Sequence, residues 1–497
     1  MRLTFLLSVL LICLYACDVD RQYVTGEAVE LRFGVDTLSF DTVFTSRGSA
    51  TMGFKVYNDA ADPVRIDRVY VAGETGVDFT FNVDGTMGPQ AEDVVIFGKD
   101  SIYVFVEVEV DPTEPTEISP FIATDRLVFA TGDTEESVVL EAYGQNALYL
   151  NGFNRGTFFQ PICQDETFTL PTELPTVIYG SMFVDSCVLR VLAGTRIYFH
   201  GGLQRNEQIG GSGIFDDGFI YTLPQGRIEF LGTLENPILL ATDRLEEDFA
   251  ESAGGYRGLV IGPESRGNRI EHTEIRNAII GVTVDSLAEV TLENTVIAYT
   301  SGPAILSYQG DVTARNTLLH SSQSNSIQFL KGGNLTLEQV TVANYGSREV
   351  ALTLSNCRPV PNTQFCLQAP LRARIHNSIV AGGGLTELQL LDVDERKNPE
   401  TFDLLVTNSL VRTDQKFLSD DGGRYANFYE TICTGCYNLQ SGDFLFESIG
   451  QDDYHLDSLS VARDLGAYLP ELPLDLEGNE RDTETPDAGA LEWQPAG

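Results

Sequence analysis

Leu292-Glu293-Asn294-Thr295, followed two residues later by Ile297, is the stretch that decides the fold, because close variants of it recur along the chain. Each copy has an apolar first residue, a polar third residue and a second apolar residue just beyond it. The copies begin at Ile270, Leu292, Ala314, Leu337, Ile375 and Val406. These starts lie 22, 22, 23, 38 and 31 residues apart. A period near 22, with short apolar strands between Gly and Asn turns, predicts a parallel β-helix whose coils stack into one continuous core.

The third position of the repeat predicts a polar column along the solenoid. Its members are His272, Asn294, Asn316, Gln339, Asn377 and Asn408. Amide side chains can donate to the coil above and accept from the coil below, so the column is expected to be a structural ladder. A row of amides that binds a ligand is the functional alternative.

The two longer steps of the repeat predict loops that project from the coils. One contains Cys357 to Cys366 and is expected to be pinned by a disulfide, and the other runs from Asp392 to Thr401. Binding and catalytic residues lie on such loops more often than on the elements that carry them.

Segments on both sides of the repeat extend the solenoid. Leu189–Phe199 and Gly226–Leu240 resemble the first coils of right-handed parallel β-helix proteins, and Asp475–Arg481 with Pro486–Glu492 resembles the closing segment of bacterial surface β-helix proteins. We therefore expect a right-handed parallel β-helix (solenoid) over residues 147–470 and a C-terminal cap over residues 471–497 that covers the last coil.

A calcium loop is the alternative for part of this closing segment. Asp475-x-Glu477-x-Asn479 has the spacing of the first three ligands of such a loop, but Pro486 stands where the loop would need a glutamate. No metal site is assigned to it.

Residues 27–146 alternate apolar and polar side chains with a period of two, which predicts half-buried β-strands. The runs are Val29–Phe33, Met52–Tyr57, Val64–Val69, Ile102–Val110, Leu127–Phe129 and Val138–Tyr143. About seven strands in this length indicate an immunoglobulin-like (Ig-like) sandwich. Phe40–Asn58 also resembles the Ig-like modules of bacterial surface proteins, which space other domains. The predicted fold class is all-β: an N-terminal Ig-like β-sandwich followed by the β-helix.

The N-terminus has the layout of an export signal. Arg2 precedes an apolar run from Leu3 to Leu14, which is too short to span a bilayer. Leu14-Tyr15-Ala16-Cys17 resembles a lipobox. The resemblance implies a lipoprotein signal peptide over residues 1–16, lipid on Cys17, a linker over residues 17–26 and attachment to a membrane. An ordinary secretory signal with a chance cysteine is the alternative.

Six cysteines remain after Cys13 and Cys17, and an even number in an oxidising compartment indicates disulfides. Six cysteines allow 15 pairings, and we expect neighbours in sequence to pair. The expected bonds are Cys163–Cys187, Cys357–Cys366 and Cys433–Cys436. The last pair forms a Cys-x-x-Cys motif, for which redox activity or half of a zinc site are the alternatives to a structural staple.

The charge balance excludes one class of partner. With 32 Lys and Arg against 72 Asp and Glu, the net charge is −40, whereas a nucleic-acid binder needs a positive field. The same charge disfavours polyanionic sugars unless calcium bridges them. A well-solvated extracytoplasmic surface explains the acidity.

No motif for catalysis is present: the sequence lacks Gly-x-Ser-x-Gly, His-Glu-x-x-His and a Walker loop. The five histidines are scattered without a matched neighbour; His272 and His376 are expected to be structural, and His200 and His320 follow strand ends, where exposure is expected. Acidic pairs occur at Asp216-Asp217, Glu246-Glu247-Asp248 and Asp452-Asp453. Asp243-Arg244 is the most site-like pair, with a solvated salt bridge as its alternative. We assign no catalytic residue, cofactor or metal.

Together, these resemblances indicate the uncharacterised β-helix lipoproteins of Gram-negative bacteria, in the pectate-lyase-like fold superfamily. They imply a membrane-anchored envelope protein whose β-helix binds a glycan or an envelope protein. Because large acidic β-helix proteins usually face outward, we expect it at the outer membrane and exposed on the surface; inner-membrane retention through Asp18 is the alternative. The alternative is a carbohydrate-active enzyme, either a polysaccharide lyase or a glycoside hydrolase. An enzyme should bring two or three carboxylates, or carboxylates with Arg or Lys, together in a groove.

Overall fold

The structure is a computed structural model that describes residues 23–25, 29–44, 51–73, 77–109, 122–151, 163, 165–205, 214–363, 365–393, 398, 400–414 and 427–495. The predicted signal peptide and Cys17 lie outside these residues. The chain divides into two compact units, one over residues 1–146 with 245–247 and the other over residues 147–244 with 248–497.

The first unit consists of short strands joined by turns. They are β1 (Arg32–Phe33), β2 (Thr37–Phe44), β3 (Met52–Asn58), β4 (Val64–Val71), β5 (Asp78–Val83), β6 (Thr86–Gly88), β7 (Gln90–Ile96), β8 (Asp100–Glu109), β9 (Ile122–Thr131) and β10 (Thr134–Gln145). The described part of this unit thus has ten strands rather than about seven, and β1 is shorter than the run from Val29.

Two five-stranded sheets build the first unit, in the orders β1-β3-β8-β5-β6 and β2-β10-β9-β4-β7. The pairings are antiparallel except between β2 and β10. Alternate residues of both sheets share one core, in which Phe40 contacts Phe79 and Phe33 contacts Phe129. Period-two patterning therefore places one face of each sheet inside, as the sequence predicts.

The second unit is almost entirely β-structure. Its first strands are β11 (Leu148–Asn151), β12 (Thr167–Thr169), β13 (Thr176–Tyr179), β14 (Ser181–Val184), β15 (Val188–Leu192), β16 (Arg196–His200), β17 (Leu203–Arg205), β18 (Ile214–Asp216), β19 (Phe219–Thr222), β20 (Arg227–Leu231), β21 (Ile238–Thr242) and β22 (Gly258–Ile261). The next are β23 (Asn268–Glu271), β24 (Thr273–Arg276), β25 (Val282–Val284), β26 (Glu289–Glu293), β27 (Val296–Ala298), β28 (Ile305–Ser307), β29 (Asp311–His320), β30 (Ile327–Phe329), β31 (Gly333–Asn344) and β32 (Leu352–Ser355).

The remaining strands are β33 (Cys357–Pro359), β34 (Cys366–Gln368), β35 (Leu371–His376), β36 (Ile379–Gly382), β37 (Leu388–Leu391), β38 (Phe402–Thr407), β39 (Leu410–Val411), β40 (Cys433–Thr434), β41 (Tyr437–Asn438), β42 (Phe446–Ser448) and β43 (Asp453–Leu456). Short helical turns occupy Glu247–Phe249, Phe428–Thr431 and Ile449–Gln451. Among the described residues, no helix has the length and apolar character needed to cross a membrane.

Parallel pairing stacks most of these strands into three columns. The first runs through β12, β15, β20, β23, β26, β29, β31, β35, β38 and β40; the second through β11, β13, β16, β21, β24, β27, β29, β31, β36, β39 and β41; the third through β14, β19, β22, β25, β28, β30, β32 and β37. β29 and β31 are long enough to belong to both of the first two. These long parallel sheets are compatible with the expected parallel β-helix.

The register of the repeat is confirmed at every step. Ile270 pairs with Leu292, Leu292 with Ala314, Ala314 with Leu337, Leu337 with Ile375, and Ile375 with Val406. The second apolar position, from Ile275 to Val411, aligns in the same way. Both rows are buried in one core, so each coil stacks like residues on like.

The polar third position of the repeat forms the corner between the first and second columns. All six of its residues have a positive φ, between 42° at His272 and 56° at Gln339. Among residues with a side chain, Asn tolerates this left-handed region best. In five copies the next residue is Thr or Ser, and its hydroxyl donates to the carbonyl two positions back, at 2.7–3.0 Å. The motif therefore encodes a turn.

The expected polar ladder forms in two parts: one joins His272, Asn294 and Asn316, and in the other the side-chain oxygen of Gln339 accepts from the amide of Asn377 at 3.2 Å. Asn294 donates to Nε2 of His272 at 3.1 Å, and Asn316 donates to Oδ1 of Asn294 at 3.1 Å. The amides of Asn316, Asn377 and Asn408 also donate to carbonyls of the C-terminal segment, those of Leu474, Ala467 and Leu465.

A C-terminal cap over residues 471–497 stays a prediction, and the described residues of this segment contact the side of the stacked columns. The segment 462–493, which we call the strap, lies along the side of the solenoid and spans the corners of Asn408, Asn377 and Asn316 in turn. Arg481 of the strap is 4% exposed, and its guanidinium donates a hydrogen bond to Oδ1 of Asn316 at 3.0 Å. The strap lies here because the side-chain amides at the left-handed corners point outward, and carbonyl groups of the strap backbone accept their hydrogen bonds.

Three disulfides join Cys163 to Cys187, Cys357 to Cys366 and Cys433 to Cys436, which is consistent with the expected pairing of neighbours. The second closes an antiparallel hairpin, β33–β34, in the predicted loop. Of the other predicted loop, residues 394–397 and 399 lie outside the described residues.

Asn316→Ala should lower the free energy of unfolding by about 2–4 kcal/mol, because it removes buried hydrogen bonds and places alanine in the left-handed region. Asn316→Gly loses the same bonds without the backbone strain and should be less destabilised by about 1 kcal/mol. Urea unfolding read by the fluorescence of Trp493, the single tryptophan, measures both. Equal losses in the two variants would mean that the left-handed corner does not select the asparagine.

Candidate functional site

A cleft of about 450 Å³ opens where two C-terminal elements meet the outer surface of the second column. One wall is the hairpin β42–β43 with its connecting turn, and another is the strap. The floor comes from the coil corners and from the loop after β20. The residues that line it are Thr233, Leu234, Pro237, His272, Thr273, Glu274, Asn294, Val296, Leu318, Gln451, Asp452, Asp453, Tyr454, His455, Leu476, Glu477 and Leu491.

Apolar packing fixes the hairpin beside the solenoid. Phe446, Tyr454 and Leu456 share a buried cluster with Ile379 and Leu410, whose side chains face outward from the second column. The strap adds Ala488 and Ala490 to this cluster. The outer face of the column is therefore a second core, and the cleft lies at its edge.

Asp452 anchors the turn of the hairpin to the solenoid. It has a left-handed backbone with φ of 54°. Its carboxylate accepts hydrogen bonds from the hydroxyls of Tyr299 at 2.9 Å, Ser321 at 2.8 Å and Tyr454 at 3.0 Å. Burial alone would raise the pKa of Asp452, but these three bonds lower it. The group is thus a stable anion held by neutral donors.

His320 lies buried beneath this anchor, so the expectation that it is exposed is wrong. It is 7% exposed and packs between the rings of Tyr299 and Tyr454, with centroids at 5.5 and 5.0 Å. Burial lowers its pKa to about 4, although Asp452 opposes the shift from 3.7 Å. The imidazole is therefore neutral at physiological pH.

His455 joins the hairpin to the strap. Its Nδ1 lies 2.6 Å from Oδ1 of Asp453, and its Nε2 lies 3.1 Å from both carboxylate oxygens of Glu477. Partial burial would lower the pKa of His455, but the bonds to Asp453 and Glu477 outweigh it and raise the pKa. The same contact lowers the pKa of Asp453 against its own burial.

The opposite side of the cleft presents Glu274, which pairs with Nη1 of Arg276 at 3.3 Å. The guanidinium of Arg276 in turn lies 5.3 Å from the ring centre of Tyr299. The cleft thus brings together four carboxylates, two imidazoles, hydroxyls and amides around apolar side chains such as Leu234 and Leu476.

Two sequence candidates lie elsewhere. Asp243 contacts Nδ1 of His200 at 2.7 Å, and Arg244 lies 3.8 Å from the ring centre of Phe249. Neither lines the cleft. Asp217, of the first acidic pair, is buried, which raises its pKa, and it accepts a bond from Ser181.

Asp475, the first residue of the calcium-loop alternative, has its carboxylate engaged within the strap. Asp475 is 3% exposed, and its carboxylate accepts bonds from the backbone of Glu477, Asn479 and Glu492. Its oxygens are occupied by the strap's own turn. Over the described ranges, no cluster of three or more His, Cys, Asp or Glu is arranged to hold a metal ion.

The view that no histidine has a matched neighbour is wrong as well. His200, His320 and His455 each lie within 4.0 Å of a carboxylate. For His455 the signal was present in Asp453-Tyr454-His455, where the acid precedes the imidazole by two residues. Tyr299, Ser321 and Glu477 come from distant segments, and no local pattern links them.

Comparisons with known proteins give little. No protein-family model matches the chain, and a search of curated proteins finds no match. Among solved structures, the chain is similar to the catalytic unit of a thermostable GH87 alpha-1,3-glucanase from Streptomyces thermodiastaticus strain HF3-3, with a TM-score of 0.26 and 10% identity. The match covers 72% of this chain and 78% of that chain. A likeness this distant carries no functional argument.

Acid should destabilise the protein through His320. Its pKa is lower in the folded state than the usual 6.5, so the unfolded state binds more protons as the pH falls from 6.5 to 4. We expect a loss of up to about 3 kcal/mol over this range. His320→Gln should remove most of this slope and His200→Gln should retain it, as measured by urea unfolding at each pH. An unchanged slope in His320→Gln would contradict the assignment.

Proposed function

We propose that this chain is a cell-envelope lipoprotein, anchored through lipid on Cys17, that binds an uncharged glycan in the cleft beside the hairpin. An Ig-like sandwich acts as spacer, and a right-handed parallel β-helix carries the site. The observation that carries the proposal is the cleft itself, where polar groups of the solenoid, the hairpin and the strap converge around apolar side chains.

The chemistry of the lining fits a sugar. A pyranose presents hydroxyls on its rim and C–H groups on its faces, so it needs many hydrogen-bonding groups and some apolar surface. Glu274, Gln451 and Asn294 offer acceptors and donors, and Leu234 and Leu476 offer apolar contact. Carboxylates that accept from hydroxyls form strong, charge-assisted bonds.

The charge of the cleft selects against acidic sugars. Its lining includes Glu274, Asp452, Asp453 and Glu477 but neither Lys nor Arg. A uronic acid or sulfated chain would place like charges together at a cost, which makes the ligand a neutral one. The net charge of −40 strengthens this repulsion at long range.

A glycoside hydrolase is the second candidate, because four carboxylates meet in one cleft. Hydrolysis requires a protonated carboxyl, usually with a raised pKa, to donate to the leaving oxygen. Asp452 and Asp453 instead have lowered pKa values and are held by hydroxyls and His455. The geometry therefore favours binding over cleavage.

Two features support the proposed architecture and location. Connections between parallel strands of one sheet are right-handed in the great majority of proteins, which favours the right-handed form. The two sheets of the first unit share one core, as Ig-like sandwiches do. The lipobox resemblance at Leu14–Cys17 supports the anchor, and the acidic surface supports display at the outer membrane.

The test panel consists of neutral hexasaccharides of glucose, mannose and N-acetylglucosamine, together with an oligogalacturonate of equal length. We expect the full chain to bind at least one neutral member and not the uronate in isothermal titration calorimetry. Glu274→Gln should weaken that binding about tenfold, since it removes a charge-assisted bond. Glu400→Gln, outside the cleft, is the matched control and should bind normally. Equal affinities of the two variants for the glycan would show that the cleft is not the binding site.

The same panel separates the two candidate functions. Binding without release of reducing ends supports a binding protein. Steady release of new reducing ends by the full chain, abolished in Asp453→Asn, would establish the hydrolase. Failure of every panel member to bind would favour an envelope protein as the ligand.

Lipid attachment has its own test. Cys17→Ser should abolish incorporation of labelled fatty acid and release the chain from the membrane fraction, because the thiol is the group that receives the diacylglyceryl lipid and its loss also prevents acylation of the new amino terminus. Cys13→Ser, in the expected signal peptide, is the matched control and should retain both. Labelled lipid in Cys17→Ser would contradict the anchor. Protease treatment of intact cells then tests surface exposure, since a chain exposed on the surface should be cleaved.

A further inference from the structure

The imidazole of His455 lies between two carboxylates that belong to different elements. Asp453 is on the hairpin strand β43, and Glu477 is on the strap. Nδ1 faces Oδ1 of Asp453 at 2.6 Å, and Nε2 faces both oxygens of Glu477 at 3.1 Å. Oδ1 of Asp453 also accepts the backbone N–H of His455 at 3.1 Å, which orients the carboxylate toward the ring.

A proton count shows what this geometry requires. An ionised carboxylate only accepts hydrogen bonds, so both ring nitrogens of His455 must donate. A neutral imidazole carries a single N–H and leaves a lone pair facing the other carboxylate. Both contacts therefore hold together only when the ring is an imidazolium, and loss of its proton turns one attraction into a repulsion.

The surroundings of the ring contain further acidic groups. Asp452 precedes Asp453 on the hairpin, and Glu274 and His272 face it from the solenoid across the cleft. Tyr454, the neighbour of His455, is turned away and donates to Asp452. Arg276 pairs with Glu274 at 3.3 Å, and the described residues that line the cleft include neither Lys nor Arg, so the imidazolium is the cationic group placed between Asp453 and Glu477.

We propose that Asp453, His455 and Glu477 form a proton-dependent clasp that joins the hairpin to the strap and thereby sets the affinity of the cleft for its ligand. With the ring protonated, the clasp closes one wall of the cleft. Without the proton, the strap and the hairpin separate at this point and the wall loosens. The link to ligand binding rests on the proposed function, whereas the clasp itself does not.

The size of the effect follows from exposure. The three side chains are 41–51% exposed, so water screens their attraction. Exposed ion pairs change equilibria by small factors, and we expect opening to increase about two- to fivefold between pH 6 and pH 9. Such a change modulates affinity without unfolding the wall.

Hydrogen exchange and nitrogen-detected NMR of His455 test the clasp in the full chain. After correction for intrinsic exchange rates, amides of residues 446–456 and 474–480 should open about two- to fivefold more at pH 9 than at pH 6. His455 should be doubly protonated at pH 6 and lose this state as the amides open. Exchange that does not follow the protonation of His455 would overturn the proposal.

Two carboxamide variants provide the sharper test. In Glu477→Gln, a neutral ring with hydrogen on Nδ1 can donate to Asp453 and accept from the new amide, so the bridge no longer needs the extra proton. In Asp453→Asn the mirror tautomer, with hydrogen on Nε2, serves Glu477. Both variants should keep the wall protected at pH 9, whereas His455→Gln should leave it open at both pH values. If His455 had only a structural role, the two variants would not show pH-independent protection together with opposite tautomers of the ring. Protection that still depends on pH in both variants would overturn the proposal.

Titration with the neutral hexasaccharides at pH 6 and pH 9 separates the two ideas. Affinity that falls about two- to fivefold at pH 9 in the native chain, but not in Glu477→Gln, supports both. Equal affinity at the two pH values overturns the control of the cleft by the clasp and leaves the glycan-binding proposal standing. If no hexasaccharide binds while exchange still follows His455, the glycan proposal fails and the clasp stands.

Discussion

The left-handed corner between the first two columns is the constraint on which the second unit depends. One residue in each repeat turns the chain with a positive φ, and the Thr or Ser that follows it in most copies closes the turn onto a carbonyl. This fixed turn sets the phase of both flanking strands, so Leu292 and Ile297 both point inward, as do their equivalents. A coil that lost the turn would shift its strand register and expose one of the two apolar rows.

The same corner explains the C-terminal segment. An asparagine chosen for its backbone also carries an amide, and at Asn316 or Asn377 that amide is buried and needs partners. The strap backbone provides them, and Arg481 reinforces the contact through Asn316 and Glu492. The strap and the hairpin packed with it then cover the outer face of the second column, and the cleft is the space left at the edge of that cover.

The sequence predicts what is periodic and misses what is not. The repeat predicts the register of six coils, because like residues at the same position of each copy must stack if each coil is to bury its apolar side chains. It also identifies the loop at Cys357–Cys366. It does not reveal that the third position is chosen for its backbone angle, since an amide ladder and a left-handed turn both favour asparagine. The third column, with strands of three or four residues such as Val282–Val284, is too short to leave a periodic signal.

The cleft could not be predicted because its groups come from unrelated segments. Asp452 meets Tyr299 over 153 positions and Ser321 over 131. Such contacts follow from how the hairpin packs, and composition gives no hint of them. What the composition does impose is the chemistry: with 72 acidic against 32 basic residues, this chain has few cations to pair with its carboxylates. In the cleft it holds Asp452 with hydroxyls and joins Asp453 to Glu477 through an imidazole. The imidazolium of His455 joins the two carboxylates as an arginine could, and unlike an arginine it can lose its proton as the pH rises.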